Sequence, residues 1–550
     1  MSEEEEKVEE GQEPETRPRR RRRVPSVWTL AVVAILLLAA FGVRFSDLTG
    51  DHAATNLLTV LGCFLASIVL LVWFLLFSGY RARWRLFTLA ALVAAVVVAS
   101  SLFKVDHLSG DLIPVFTYRW ERPTDELLQV PESFASREDA DLTTTTENDF
   151  PQFLGPNRDG TVGGITLSRD WTQHKPRELW RRPIGAGWSS FAAVNGFAVT
   201  QEQRGDQEMV TCYEVETGEP VWAQSITARH ATLAGGAGPR GTPTIHKGRV
   251  YTLGATGTVL CLDGTNGEVL WSDDLLKRYG VRPEDDEKGV AWGRSSSPLI
   301  VDDLLIVAAG GPAGGPCKSL AAFHKDTGEL AWEAGDRQVS YASPILATLG
   351  ETLQILSVNE DNISAHVSAT GEILWSYDWP GSTTADPNVS QPVVLGTDRV
   401  LLSKGYGGGA MLLRVQRATD GQFQVDEVWR TRRSLRTKFT NAVVHEGYIY
   451  GLSDGILECV DVETGTRQWK KGRYGHGQLL GVGPLLLVQA ESGDVAMVEA
   501  TPTELRELGR FTAFEEKTWN NLCLYGRLLL VRNAEEAACY ELPVEEGASE

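Results

Sequence analysis

The chain has 550 residues, an apolar fraction of 43 % and a formal net charge of −20. That length exceeds one ordinary domain unless the chain is a closed repeat array, and the acidic balance argues against a nucleic-acid binder, which must neutralise phosphates. No CxxC or HExxH spacing occurs among the seven cysteines and nine histidines, so the common zinc signatures are absent.

In chain order, residues 1–23 read as a disordered cytoplasmic tail: acidic and poor in apolar residues to position 16, then basic at Arg17 and Arg19 to Arg23. Three apolar runs follow, at about 24–43, 57–77 and 86–103, each of a length that spans a bilayer. A cleaved signal peptide would explain one such run but not three in succession. The Arg17–Arg23 block and Arg81, Arg83 and Arg85 fall on one side, and the loop holding Asp47 and Asp51 falls on the other. The positive-inside rule then places the N-terminus in the cytoplasm and everything after Phe103 outside it. Residues 104–148, with Pro114, Pro123, Pro131 and the Thr143–Thr146 run, read as a linker.

From Asp149 the pattern changes to short β runs with glycine turns and no amphipathic helix of any length. One seven-residue stretch recurs as Glu216-Thr-Gly-Glu-Pro-Val-Trp222, Thr265-Asn-Gly-Glu-Val-Leu-Trp271, Asp326-Thr-Gly-Glu-Leu-Ala-Trp332, Ala369-Thr-Gly-Glu-Ile-Leu-Trp375 and Glu463-Thr-Gly-Thr-Arg-Gln-Trp469. Each copy is a hairpin turn followed by a strand ending in an indole able to pack on its neighbour. A second signal, short strand starts at Ser189, Gly241, Ser296, Ala342, Ser390, Thr440, Gly477 and Asn520, counts eight units of about 50 residues, the size of a four-stranded propeller blade. The seventh unit is degenerate, which leaves seven blades as the competing count. The last unit, ending near Leu542, lacks a closing strand, and Glu178-Leu-Trp180 ahead of the first could supply it and close the ring.

Cys212, Cys261 and Cys459 share one repeat position, where other copies carry Ala322 and Ala365. Equivalent positions on different blades are too far apart to bridge, so these read as small core residues. Cys539 looks like the same position in the last unit, and a Cys523–Cys539 bridge is left open. The glycine-rich runs at Gly310–Pro316 and Gly405–Gly409 sit between strands with no following helix, so they read as hairpin loops and not phosphate loops.

In a propeller, the loops entering the inner strands ring one mouth of the central channel. The residues just before each strand start are Trp188, Arg240, Arg294, Tyr341, Asn388, Lys438, His476 and Trp519. Aromatics and cations around a funnel can stack a planar ligand, grip a carboxylate or take up a peptide; they can equally plug and solvate the mouth. The Asp273–Trp292 insertion should overhang the same end.

The Thr-Gly-Glu-x-x-Trp copies resemble the tryptophan-docking repeat of pyrroloquinoline-quinone (PQQ) propellers, and Asp149-Phe-Pro-Gln-Phe-Leu-Gly-Pro-Asn-Arg-Asp-Gly160 looks like their entry segment. The resemblance covers about 149–543, leaving 544–550 as a tail. It implies an all-β, eight-bladed propeller behind three transmembrane helices, with Trp222, Trp271, Trp332, Trp375 and Trp469 docking one blade on the next. The family includes quinoprotein dehydrogenases and BamB-like assembly scaffolds, so fold alone does not give function. The dehydrogenases hold PQQ over Ca²⁺ with carboxylate and amide oxygens and an Asp base. Many carry a vicinal cysteine pair that this sequence lacks, and no Asp/Glu/Asn set can be assigned by motif. No α/β pattern supports a Ser-His-Asp hydrolase. The expectation is therefore a multi-pass protein of a bacterial inner membrane whose periplasmic propeller binds envelope proteins or peptides, with no catalytic residue, metal or cofactor. The alternative is a membrane-bound PQQ-dependent dehydrogenase, as in glucose dehydrogenases that join N-terminal spans to a periplasmic propeller.

Overall fold

The structure, a computed structural model, describes residues 23–46, 48–129 and 139–545. The readings of 1–22, Asp47, Pro131 and the final residues 546–550 lie outside the described residues. The chain divides into two compact units: one holds the stretches up to Leu48 and from Ala54 to Lys104, the other Thr49–Ala53 and everything from Val105.

The first unit is built on three helices, Val27–Phe45, His52–Phe77 (from Ala54 onward) and Ala82–Leu102, each long and apolar enough to cross a membrane. The second begins at His52, five residues before its apolar run, because Asp51 accepts the Ala53 amide and starts the helix. Its last turn, Trp73–Phe77, widens to π geometry. Leu38, Phe64 and Val96 expose more than half of their surface, as helices solvated by lipid do. The first two helices meet where Gly62 faces Ala40: a Cβ there would lie 2.8 Å from the Ala40 Cβ. Close backbone approach through small residues is how membrane helices associate without a hydrophobic drive.

The second unit is a ring of eight antiparallel blades. Blades 1 to 7 occupy 192–227, 244–274, 299–334, 345–378, 393–431, 443–473 and 478–512. Blade 8 takes three strands from 523–541 and its outer strand, Arg177–Pro183, from the start of the domain, with Trp180 opposite Cys539. The exchange closes the ring and removes two sheet edges. The unit 478–512 is a complete four-stranded blade, so the count is eight.

The repeat works as a junction. In the third strand of a blade a small residue faces the indole across the ladder: Cys212 opposite Trp222, Cys261 opposite Trp271, Ala322 opposite Trp332 and Cys459 opposite Trp469. A register shift follows directly and turns the indole toward the next blade. There it lies on that blade's motif glycine. A Cβ on Gly218 would stand 2.5 Å from the Trp180 ring, and one on Gly267 2.5 Å from Trp222. Both glycines also hold positive φ, +71° and +77°, so conformation and contact each demand glycine. The indole N–H then donates across the junction: Trp180 to the Val215 carbonyl, Trp222 to Gly264, Trp271 to Lys325, Trp469 to Thr501. All seven cysteines are free thiols, Cys523 and Cys539 included. Burial pushes the Cys261 thiol up to about 11, as for an inert core residue.

Three junctions depart from this pattern. Trp332 covers Gly371, but its indole N–H is buried without a hydrogen-bond partner. Trp375 turns its N–H back to Gln354 of its own blade at 2.6 Å. In blade 7 the tryptophan position is Gly509, opposite Met497. Trp171, from the chain entering the domain, fills that space with its Cβ 2.5 Å from where a Gly509 Cβ would stand. Trp429 is a docking residue the motif does not reveal: it bonds the Val462 carbonyl and covers Gly465.

The entry segment crosses the ring's central opening. Phe150 bridges Ala193 of blade 1, Pro151 accepts the Ile245 amide of blade 2, and Thr161–Val162 pair in parallel with blade 7. Between them Arg158 is buried and donates to the carbonyls of Ser297, Pro298 and Pro344, at the starts of blades 3 and 4. Burial lowers its pKa to about 9. The stretch expected as a plain linker is partly built into this unit. Phe103–Leu108 pairs with Pro114–Tyr118, Asp125 holds Arg229 at 2.6 Å, and Ala140 and Leu142 are buried against blades 1 and 2.

Candidate functional site

Strand starts converge at one end of a propeller, and the eight residues singled out from the sequence follow one another around that end. Trp188 and Trp519 face each other with ring centroids 5.0 Å apart; Phe439 lies 4.6 Å from Trp519 and 5.6 Å from His476. The Trp188 indole donates to Gly235 and the Trp519 indole to Glu491. The Lys517 ammonium sits 4.2 Å from the Trp519 centroid and 5.1 Å from Trp188, a cation over two indole faces. Burial pulls the pKa of Lys517 down to about 8, although Glu491 and Asp106 oppose that shift.

The other four residues brace the loops. Arg240 donates to the carbonyls of Gly235, Gly236 and Gly238, and burial lowers its pKa to about 10. Arg294 donates to the Ala309 carbonyl and pairs with Asp286 of the insertion at 2.7 Å, both side chains being buried. The Tyr341 hydroxyl donates to Thr383 and accepts the Trp292 amide. Asn388 donates to the carbonyls of Asn359, Glu360 and Trp379. Most of their donors are used within the fold, while Arg294 Nε and Asn388 Oδ1 are buried without a hydrogen-bond partner. The Asp273–Trp292 insertion forms two short helices, Leu275–Arg278 and Pro283–Gly289, and lies at this end through Asp286 and Trp292.

Lys438 and His476 act differently. Both are buried, yet they hold residues from far away in the chain. The Lys438 ammonium lies 2.9 Å from an Asp51 carboxylate oxygen and donates to the Gly110 carbonyl at 3.1 Å. His476 Nε2 lies 3.1 Å from an Asp111 carboxylate oxygen. Glu491 accepts the backbone amides of Gly110 and His476 besides the Trp519 indole, and Lys517 donates to the Leu108 carbonyl at 3.3 Å. Burial alone would raise the Asp111 carboxyl, but the hydrogen bond and charge of His476, with Lys438, hold it below its usual value. The mouth thus grips a peptide turn at 108–111.

Sequence reading missed Phe439, Glu491 and Lys517. Phe439 and Lys517 stand one and two positions from chosen residues and could have been found by widening the window. Glu491 lies in the hairpin after the second strand of blade 7, and no local pattern marks it.

A calcium-held quinone requires several carboxylate and amide oxygens converging on one point. At this mouth Glu491 receives three N–H donors, Asp111 faces His476 and Asp51 faces Lys438. Among the described residues no group of three or more His, Cys, Asp or Glu side chains could hold a metal. The residues at the mouth do not fit that ion. Sequence reading also missed Gly451-Leu-Ser-Asp-Gly455, which has the Gly-x-Ser-x-Gly spacing of a nucleophile elbow but forms a strand end and hairpin turn in blade 6, with no helix following.

Comparison with known proteins places the chain. The model of the family described as outer membrane protein assembly factor BamB matches residues 169–311 and 206–471, together more than half of the chain. The chain belongs to this family. A quinoprotein alcohol dehydrogenase, PedH of Pseudomonas putida, is 26 % identical over 193 residues, covering 33 % of this chain and 29 % of that protein. The outer membrane protein assembly factor BamB of Marinobacter adhaerens is 21 % identical over 103 residues, 19 % of this chain and 20 % of its own. The chain thus spans less than a third of either curated relative. The solved quinohemoprotein alcohol dehydrogenase of Comamonas testosteroni superposes with a TM-score of 0.54 at 12 % identity, covering 74 % of this chain and 82 % of that one. That likeness establishes the shared propeller fold. Relatives of this BamB-family propeller therefore include both an assembly factor and dehydrogenases.

Proposed function

We propose that this chain is a membrane-anchored scaffold whose propeller mouth binds protein segments in the bacterial cell envelope. The observation that carries the reading is the mouth's chemistry. Lys438, His476, Glu491 and Lys517 hold a peptide turn by its backbone and its acidic side chain. Membership of the assembly-factor family supports a protein partner. The three apolar helices and the arginines at 17–23 and 81–85 support an inner-membrane anchor with the propeller on the periplasmic side.

The test places a photo-crosslinking residue at exposed Glu516 beside the mouth, with Val428 on the outer edge of blade 5 as control. Envelope proteins should be captured from Glu516 and not from Val428; equal capture from both would overturn the mouth as the binding face. A reporter fused after Pro543 should register a periplasmic location, and a cytoplasmic signal would overturn the three-span arrangement.

The similarity to PedH favours a second reading, a PQQ-dependent dehydrogenase. Purified protein given PQQ and Ca²⁺ should then bind the quinone stoichiometrically and oxidise an alcohol or sugar with a dye acceptor. On the scaffold reading neither occurs.

A further inference from the structure

Two stretches of the propeller unit that are remote from the blades in sequence end in the same dipeptide at the mouth. Gly110-Asp111 places its amide on Glu491, its carbonyl on Lys438 and its carboxylate on His476. Gly50-Asp51 places its carboxylate on the same Lys438. Both glycines are in close contact. A Cβ on Gly110 would run into the His476 ring and come within 3.1 Å of Glu491, and one on Gly50 would lie 3.3 Å from the Gly407 backbone. With the turn seated, Lys438 and His476 are almost fully buried, so the bonds they make are shielded from water and strengthened by the low local dielectric.

We infer that the mouth is a recognition site for an acidic turn carrying a Gly-Asp step, and that the chain's own 108–111 turn is its resident occupant. The partner segment is accordingly a polypeptide loop presenting glycine followed by aspartate, which must displace the resident turn to dock. The inference rests on the scaffold reading and narrows it. The chemistry is complementary at each point: a cation and an imidazole for two acidic side chains, and a carboxylate for the one amide that glycine lets approach. Burial of the Lys517 ammonium over two indoles adds a donor for a backbone carbonyl, which the resident turn uses at Leu108. A tethered occupant acts at an effective concentration of the order of millimolar, so a free competitor meets a substantial barrier until the tether is drawn away.

The experiment uses the full-length protein in detergent and a fluorescein-labelled cyclic peptide of residues 107–114, His-Leu-Ser-Gly-Asp-Leu-Ile-Pro, read by polarisation. Wild type should bind it weakly. Gly110→Val, which cannot seat the resident turn, should bind it roughly tenfold or more tightly, since the competing tethered copy is gone. Asp111→Ala should act in the same direction and serves if Gly110→Val fails to fold, as its melting temperature will show. Adding Lys438→Ala or His476→Ala to the opened protein should return binding to the wild-type level. A peptide with alanine for its glycine, or asparagine for its aspartate, should compete at least roughly tenfold less well, the usual scale for a lost charged hydrogen bond. Opened, folded variants that bind no better than wild type would overturn the inference. So would equal competition by the altered peptides. Failure here with mouth-specific crosslinking from Glu516 intact would reject the Gly-Asp turn and leave the scaffold reading standing; loss of that crosslinking would reject the scaffold reading itself.

Discussion

The blade junctions and the mouth both draw on tryptophan and glycine, but by opposite rules. At most junctions a tryptophan, a small partner and a glycine recur at fixed spacing, and the indoles of Trp180, Trp222, Trp271 and Trp469 meet the adjacent blade in the same way. At the mouth, tryptophans, arginines, a tyrosine, an asparagine, a lysine and a histidine stand at equivalent positions of successive blades, yet their contacts differ. Trp188 and Trp519 pack at a tilt of 46°, Arg294 braces an insertion, and Lys438 and His476 hold segments more than three hundred residues away. Equivalence at the junctions reflects a shared mechanical task. Divergence at the mouth leaves each position open to its own chemistry, and that is where a binding surface can differ between proteins of one fold.

Mutations can break that contrast. The largest effect is expected at a junction. Trp222→Ala removes a buried indole and its bond to Gly264, and should lower unfolding free energy by about 3–5 kcal/mol. Peptide binding at the mouth of the folded mutant should be unchanged; denaturant titration and polarisation check the two halves. Next comes Gly218→Ala at the seam between blades 8 and 1. Positive φ and the Trp180 ring together should cost about 1–3 kcal/mol, read as a lower denaturation midpoint, and a neutral result would sink the claim that the glycine is a platform.

The mouth answers to pH instead. Burial raises the Glu208 carboxyl from 4.5 to about 7, against the Ala255 amide and Arg240. A folded pKa above the unfolded one means the native state binds the proton more tightly, so the contribution is present below pH 4.5 and is lost as pH climbs through 7. Glu208→Gln should therefore raise the melting temperature at pH 8 and leave it nearly unchanged at pH 4.5. The smallest effect concerns Lys517. Its folded pKa of about 8 lies below the ordinary 10.5, so its burial penalty weighs on the native state below pH 8. That penalty is relieved as pH rises from 8 to 10.5, and stability increases across that window. Loss of the cation should alter the emission of Trp188 and Trp519 with a midpoint near pH 8, and Lys517→Met should abolish that step. A step that survives in the mutant would remove Lys517 from the indole pair.

Much of the architecture was legible in one dimension. Five motif copies and eight strand starts point to eight blades, with seven left open by the degenerate seventh unit until its four strands are seen, and Glu178-Leu-Trp180 announces the strand that closes the ring, because each signal is short-range and repeats. The cysteines read correctly as small core residues, since the repeat set them beside alanines. Trp429 escaped because its blade has no Thr-Gly turn four residues earlier. Trp171 escaped because it stands outside the repeat altogether and fills the place of a side chain that Gly509 lacks.

The sequence by itself determined the helices, the repeating blade and most of its docking tryptophans. Apolar length and a periodic hairpin are local properties, and local hydrogen bonding and side-chain packing enforce them. Only the tertiary structure decided what lies at the two ends of the ring's opening. Arg158 joins blades 3 and 4 across it, and Gly110-Asp111 meets Lys438, His476 and Glu491 over separations of more than three hundred residues. Such contacts arise from chain closure in space. They leave no spacing in the sequence, and they turn a ring of predictable blades into a mouth already holding a peptide turn.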